Sequence, residues 1–235
     1  MIKFPSSRTL KSFARSGTVA CPARLNLTFG LQRAEKIIFR PTKPRQIKEP
    51  YVCIAVQTSA TFKTWLNPGG WNSVVDYLKR LGYRVLCIDK NREQTDHGFT
   101  VKMPEGAEDF TGDISLSERV NLLAYAEFFI GMPSGLSWPA QAADCPVVLI
   151  SGITPVWFEF STPYRVINRL ICFGCHNDIN LKWGDYENCP RHKGTDRVYE
   201  CSKKFRRGKS FKRLINCSTT NARGGSKIQI LFNGD

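Results

Sequence analysis

Four cysteines in the second half of the chain have the spacing of a metal site. Cys172, Cys175, Cys189 and Cys201 are separated by two, thirteen and eleven residues. A two-residue gap lets one tight turn direct two thiolates at a single point, and the two later cysteines complete a tetrahedral set. Because four thiolates leave no open coordination position, we expect a structural metal site rather than a catalytic one.

The residues between these cysteines predict a small, loop-rich metal finger with little apolar surface of its own. They are rich in turn-forming residues, namely Gly174, Asn177, Asp178, Gly184, Asp185, Pro190 and Gly194. A bound metal would therefore supply much of the folding free energy of the segment. The chemistry alone favours zinc, because four-cysteine zinc sites are common, although a tetrahedral all-sulfur site also suits iron. His176 and His192 are set aside as ligands, and disulfide pairing is disfavoured by the odd total of nine cysteines and the lack of a secretory signal.

An alternation of apolar strands and amphipathic helices precedes the finger. Strands are predicted at 51–56, 83–89, 128–131 and 145–151, and helices at 71–81, 115–126 and 136–143. The strands are continuous apolar runs, which is typical of strands buried on both faces of a parallel sheet. The fold class predicted is therefore α/β, a Rossmann-like parallel sheet with an appended four-cysteine finger. Residues 90–113 carry little pattern.

Polar residues follow these strands at the edge where ligands bind in open α/β sheets. Lys63 lies in the loop after the first strand and suits a diphosphate. A lone lysine is more often a surface residue, but its placement at one sheet edge with the groups described next favours a nucleotide site. Asp89 ends the second strand, where a ribose hydroxyl could be held. Ser134, Gly135 and Leu136 follow the third strand. There, Ser134 could cap the next helix, and free amides favour phosphate.

Glu159 lies beyond the fourth strand and could accept hydrogen bonds from a sugar or help to dock the finger. Neither GxGxxG nor GxxxxGK[ST] occurs, so the sequence supports neither a dinucleotide-dependent dehydrogenase nor a P-loop NTPase.

The net charge of +14 is concentrated at the two ends of the chain. Residues 1–50 carry 11 Lys/Arg and 2 Asp/Glu, residues 201–235 carry 9 and 1, and residues 51–200 carry 14 and 17. Since the globular part is slightly acidic, a nucleic-acid-binding face is disfavoured. No apolar stretch is long enough for a transmembrane helix, and the reduced cysteines indicate a cytoplasmic protein.

These features divide the chain into five parts. Residues 1–24 are expected to be a disordered or non-native tail, and 25–50 the remnant of an earlier domain with a Pro- and Lys-rich linker. Residues 51–170 are expected to form the α/β domain with the nucleotide site, 171–204 the metal finger and 205–235 a basic tail; the resemblance given below implies that the bound nucleotide is a nucleotide sugar. The unusual ends suggest a truncated or frame-disrupted gene product.

Several stretches resemble the bacterial autotransporter heptosyltransferases, which are GT-B glycosyltransferases related to the lipopolysaccharide heptosyltransferases. The resemblance covers roughly residues 25–204 and lies in YVCIAVQTSATFKTWLNPGGW, GYRVLCID, GMPSGLSWPAQAADCPVVLISG, FEFSTPYRVIN and the four-cysteine block. It implies transfer of heptose from ADP-heptose to serine hydroxyls of an autotransporter passenger domain. It also implies iron in the finger and assembly into homo-oligomeric rings, typically dodecamers.

The resemblance also implies roles for individual residues. Lys63 is similar to the lysine that contacts the donor diphosphate, Asp89 to an acidic ribose contact and Glu159 to an acidic donor contact. Residues 134–136 resemble the glycine-containing turn at the donor phosphates. The chain resembles the C-terminal half of such an enzyme, so no catalytic residue is assigned. The alternative function is a non-catalytic four-cysteine module that binds nucleic acid or protein.

Overall fold

The apolar runs form the strands of one parallel sheet. The computed structural model describes residues 37–96, 98–176, 178, 180–181 and 189–204; the tails predicted at 1–24 and 205–235 lie outside the described residues. In chain order the elements are β1 (Tyr51–Ile54), α1 (Gly70–Arg80), β2 (Arg84–Cys87), β3 (Glu93–Asp96), β4 (Phe99–Lys102), β5 (Glu108–Asp109), α2 (Leu116–Ala124), β6 (Phe129–Gly131), α3 (Ser137–Ala142), β7 (Val147–Ile150), β8 (Arg165–Val166) and α4 (Glu200–Lys203).

The sheet has six strands in the order β5-β2-β1-β6-β7-β8, and every neighbouring pair is parallel. The strand order reverses between β1 and β6, since the chain builds outwards from β1 in one direction and then from β6 in the other. Ligands of such doubly wound sheets bind beyond the carboxyl ends of the strands at this reversal. The predicted α/β class with a Rossmann-like parallel sheet is confirmed.

Alternate residues of the central strands pack on opposite faces of the sheet. Val52 and Ile54 of β1 join a core that includes Trp71, Val74 and Leu78 of α1. Cys53 of β1 faces the other core, which contains residues of α2 and α3. Burial on both faces explains why the strands contain almost no polar residue.

The segment 90–113, which the sequence leaves without pattern, contains three strands. β3 and β4 form an antiparallel hairpin, and β5 adds an edge strand beside β2. The hairpin strands EQTD and FTVK are partly exposed and largely polar, so they lack the apolar run that marks the central strands. The two-residue strand β8 is too short for any periodic pattern.

The linker before β1 lies along the helices. The amide of Phe39 donates to the carbonyl of Ala142 at 2.8 Å, and the amide of Thr42 donates to Asn121 Oδ1 at 2.7 Å. Tyr125 donates its hydroxyl to the carbonyl of Lys43 at 3.1 Å. Among the residues that the structure describes, every helix is too short or too polar to span a lipid bilayer.

Candidate functional site

The loop after β1 brings Lys63 to the reversal point of the sheet. Lys63 ends a 3₁₀ turn (Thr61–Lys63), and its side chain is half-buried. Its positive charge lowers the pKa of both Glu159 and His176, although burial is the larger influence on each of these groups. Lys63 lines a small cleft with Gly152 from the segment after β7 and Cys201 from the finger.

The turn after β6 leaves its backbone accessible at the neighbouring strand end. Gly135 is exposed, and a Cβ added there would meet no atom within 4 Å. The carbonyl of Ser134 accepts hydrogen bonds from the amide of Ser137 at 3.2 Å and from its hydroxyl at 2.7 Å. Helix α3 has Leu136 at its N-cap without a side-chain cap. The expected capping of this helix by the Ser134 side chain is therefore wrong, because the carbonyl of Ser134 makes the local bonds.

Asp89 lies at the end of β2 with its carboxylate turned into the protein. The carboxylate accepts the amides of Val56 at 2.8 Å and Gln57 at 3.2 Å, and the residue is 2% exposed. Burial raises the pKa of Asp89, while the two amides and the nearby Arg119 act in the opposite direction. Both oxygens hold the start of the Lys63 loop, so contact with a ribose hydroxyl remains a prediction that would require sharing these bonds.

Glu159 forms a buried ion pair beneath the same edge. Its carboxylate lies 3.3 Å from Arg165 Nη1, and the two side chains are 3% and 6% exposed. Arg165 also donates to the hydroxyl of Ser151 at 2.9 Å. Burial raises the pKa of Glu159 to about 7, against the opposing effects of Arg165 and Lys63. The acidic residue predicted here thus already has a protein partner, which the sequence did not identify.

The other three cysteines of the finger lie near Cys201. Burial raises the pKa of the Cys201 thiol to about 12, and Cys175, Cys189 and Cys172 each raise it further by their proximity. Cys175, Cys189 and Cys201 are buried, while Cys172 is partly exposed, and the cysteines in the described residues are free thiols. The chemistry of four thiols suits a tetrahedral thiolate site for iron or zinc, and their assembly into one site remains a prediction.

A second group of ligand atoms lies at the edge of the finger. Cys172, His192 and Glu200 each place one potential ligand atom within 4.8 Å of those of the other two. Glu200, however, is held by Arg197 at 2.5 Å and accepts the amide of Cys172 at 3.2 Å, and Arg197 lowers the pKa of Glu200 to about 2. Because this carboxylate is already paired, we assign it to the support of Cys172, and the site of four thiolates remains a prediction. Sequence reasoning did not find Glu200.

Arg191 also supports the finger. It donates to the sulfur of Cys172 at 3.7 Å, to the carbonyl of Phe173 at 3.2 Å and to Asp178 at 2.7 Å. Hydrogen bonds and charges of this kind orient metal ligands and stabilise the thiolate form. Sequence spacing alone offered no signal for this role.

The finger docks directly on the segment that follows β7. The amide of Gly174 donates to the carbonyl of Gly152, and the amide of His176 donates to the carbonyl of Ile153, both at 2.9 Å. A Cβ added at Gly152 would lie 3.3 Å from the sulfur of Cys201. The predicted ligand-binding edge and the cysteine cluster are therefore adjacent parts of one region.

Comparisons with known proteins agree with this architecture. Residues 21–180 match the model of the family described as glycosyltransferase family 9 (heptosyltransferase). The chain is 52% identical over 162 residues to the autotransporter heptosyltransferase TibC of Escherichia coli O78:H11, which covers 68% of this chain and 40% of TibC. It is 40% identical over 161 residues to the inactive autotransporter heptosyltransferase BimC of Burkholderia thailandensis, covering 68% of this chain and 38% of BimC.

Two crystal structures of TibC are also similar, each with a TM-score of 0.70 and 48% sequence identity. One is described as an iron-containing dodecameric glycosyltransferase and covers 74% of this chain and 48% of its own. The other is a complex with ADP-D-beta-D-heptose and covers 75% of this chain and 47% of its own. The chain spans about two fifths of the length of the curated relatives that it matches.

Proposed function

Because this chain belongs to glycosyltransferase family 9, the heptosyltransferase family, we propose that it supplies the donor-binding half of a protein O-heptosyltransferase. The reaction would transfer heptose from ADP-heptose to serine hydroxyls of an autotransporter passenger domain. The observation that carries the proposal is the placement of the Lys63 loop and the Ser134 turn after β1 and β6, the adjacent strands at which the order of the sheet reverses. The crystal structure of the relative TibC with ADP-heptose supports this choice of donor.

The residues at this edge suit the leaving group of such a reaction. The ammonium of Lys63 and the backbone amides of residues 134–136 would bind the diphosphate and stabilise the charge that develops on the departing ADP. Asp89 would hold the start of the Lys63 loop and accept a ribose hydroxyl, and Glu159 would contact the donor from below. The base that deprotonates the acceptor serine is not assigned to any residue of this chain.

The finger would hold iron through Cys172, Cys175, Cys189 and Cys201, with zinc as the alternative. The metal would supply structural cross-linking, since four thiolates occupy all of its tetrahedral positions. The description of TibC as iron-containing favours iron over zinc.

We further propose that the protein forms homo-oligomers and acts in the cytoplasm. The dodecameric state of the relative TibC supports the first proposal. Free thiols gathered at a metal site need a reducing compartment, which supports the second.

Calorimetric titration of the full chain with ADP and ADP-heptose tests donor binding. Micromolar binding of both is expected, whereas no binding of either would contradict the proposal. Salt-dependent binding to DNA without ADP binding would favour the non-catalytic metal module instead. Because one relative is described as inactive, heptose transfer to a co-expressed passenger domain is measured separately from donor binding.

A further inference from the structure

Ser202 connects the finger to the loop that carries Lys63. It lies in α4 directly after Cys201 and is 4% exposed. Its hydroxyl donates to the carbonyl of Thr64 and accepts the amide of Leu66 at 2.7 Å. One buried hydroxyl therefore makes two bonds to the backbone of a loop that lies 136 residues earlier in the chain.

Two further contacts join the same surfaces. Asn67 Nδ2 donates to the carbonyl of Lys203 at 3.0 Å. Phe62 packs against a small apolar cluster formed by Ile153 and Cys175. Lys63 thus belongs to a segment, residues 62–67, that contacts the finger on both sides of the lysine.

The position of Ser202 depends on the finger, because α4 is only four residues long. A helix of this length has no independent stability in water and needs tertiary contacts to persist. A metal held by Cys201 would fix one end of this turn and, through the next residue, the backbone of Thr64 and Leu66. Conversely, a ligand that orders the Lys63 loop would favour the arrangement in which Cys201 is in place.

We propose that Ser202 is a positioning residue that couples metal binding in the finger to the affinity of the Lys63 loop for a nucleoside diphosphate. This inference rests on the proposed donor-binding function. Coupling between two binding equilibria is reciprocal, so the metal strengthens ADP binding by the same factor by which ADP strengthens metal retention.

The test compares the full chain with Ser202→Ala, each in the metal-loaded and metal-stripped forms, using ADP as the probe. For the unaltered protein, removal of the metal is expected to weaken ADP binding by about tenfold, within the usual range of such couplings. In Ser202→Ala the loaded protein is expected to bind ADP more weakly, and removal of the metal has a smaller effect. Amide hydrogen exchange at Leu66 gives a readout independent of ADP, and exchange is expected to be faster in the variant and after metal removal.

Ser73→Ala is the matched control, because it also removes a hydroxyl that donates to a backbone carbonyl, that of Gly69 at 2.8 Å. This site is on α1, and the control is expected to change neither ADP affinity nor exchange at Leu66. Metal content and thermal unfolding of every variant are measured alongside. If Ser202→Ala loses its metal, Asn67→Ala takes its place, since it removes a bond to α4 from the loop side.

The outcomes separate this inference from the proposed function. Absence of ADP binding by the metal-loaded, unaltered chain would contradict donor binding, and the coupling would fall with it. If the unaltered chain binds ADP, and the Ser202 or Asn67 variant shows the same ADP affinity and the same Leu66 exchange rate as the unaltered chain, the coupling is overturned while donor binding stands. Weaker ADP binding and faster Leu66 exchange in a metal-loaded variant would support it.

Discussion

The carboxylate of Asp89 accepts the backbone amide of Val56 at 2.8 Å and thereby joins the carboxyl ends of β2 and β1. A second bond, from the amide of Gln57, fixes the first residue of the loop that leads to Lys63. Since Asp89 is almost completely buried, its first role is to set the direction in which this loop leaves the sheet. Any contact with a ligand is made from that fixed position.

Asp89→Ala is therefore expected to destabilise the fold by about 3 kcal/mol, because the buried amide of Val56 and the partly buried amide of Gln57 lose their acceptor. Urea unfolding measures the change. Asp113→Asn is the control, since its exposed pair with Lys90 should contribute less than about 1 kcal/mol. Equal stability of Asp89→Ala and the unaltered chain would show that the carboxylate acts only on a ligand.

Lys63→Ala is expected to weaken ADP binding by about tenfold or more, because a charge-assisted bond to phosphate is lost. Isothermal titration calorimetry measures the affinity. Lys79→Ala is the control, because it removes the same side chain and charge from α1, where the ammonium of Lys79 lies 3.3 Å from the carbonyl of Gly106. This variant should leave the ADP affinity unchanged. Equal losses in the two variants would indicate a general effect of charge rather than a contact at the site.

The buried Glu159 should make stability depend on pH. Its pKa is raised from 4.5 to about 7 by burial, so the folded state binds the proton more tightly than the unfolded state. Its contribution to the free energy of unfolding is therefore full below pH 4.5 and is lost as the pH rises through 7. Relative to Glu159→Gln, the unaltered chain should lose stability across this interval in urea unfolding. A constant difference between the two proteins would contradict the raised pKa.

Cys175→Ser is expected to abolish stoichiometric metal binding and to lower the melting temperature, because one of the four predicted ligands is lost. Elemental mass spectrometry of the purified protein measures the metal and distinguishes iron from zinc. Cys145→Ser is the control, since Cys145 is buried beside the start of β7 and should retain the metal even where it reduces stability. Full metal content in Cys175→Ser would remove that residue from the site.

The order of the central elements could be predicted because each one carries its pattern locally. A few consecutive residues are enough to recognise the buried strand in the apolar run Tyr51–Val56 and the buried helix face in the stripe that begins at Trp71. The hairpin at 93–102 could not be predicted in this way, because its partly exposed strands contain mixed polar residues. Capping by the Ser134 side chain was a reasonable expectation from residue type, but the local turn uses the carbonyl instead.

The α/β alternation and the spacing of the four cysteines can be read from the sequence alone, since strand burial, helix periodicity and ligand spacing are properties of neighbouring residues. Three contacts become visible only in the folded chain: the ion pair of Arg165 with Glu159, the hydrogen bond from the amide of Val56 to Asp89, and the hydrogen bond from the amide of Leu66 to Ser202. These contacts join segments that the order of the parallel strands brings to one edge. That order depends on how the whole chain packs. A local sequence pattern therefore does not predict which side chains from distant parts of the chain will be in contact.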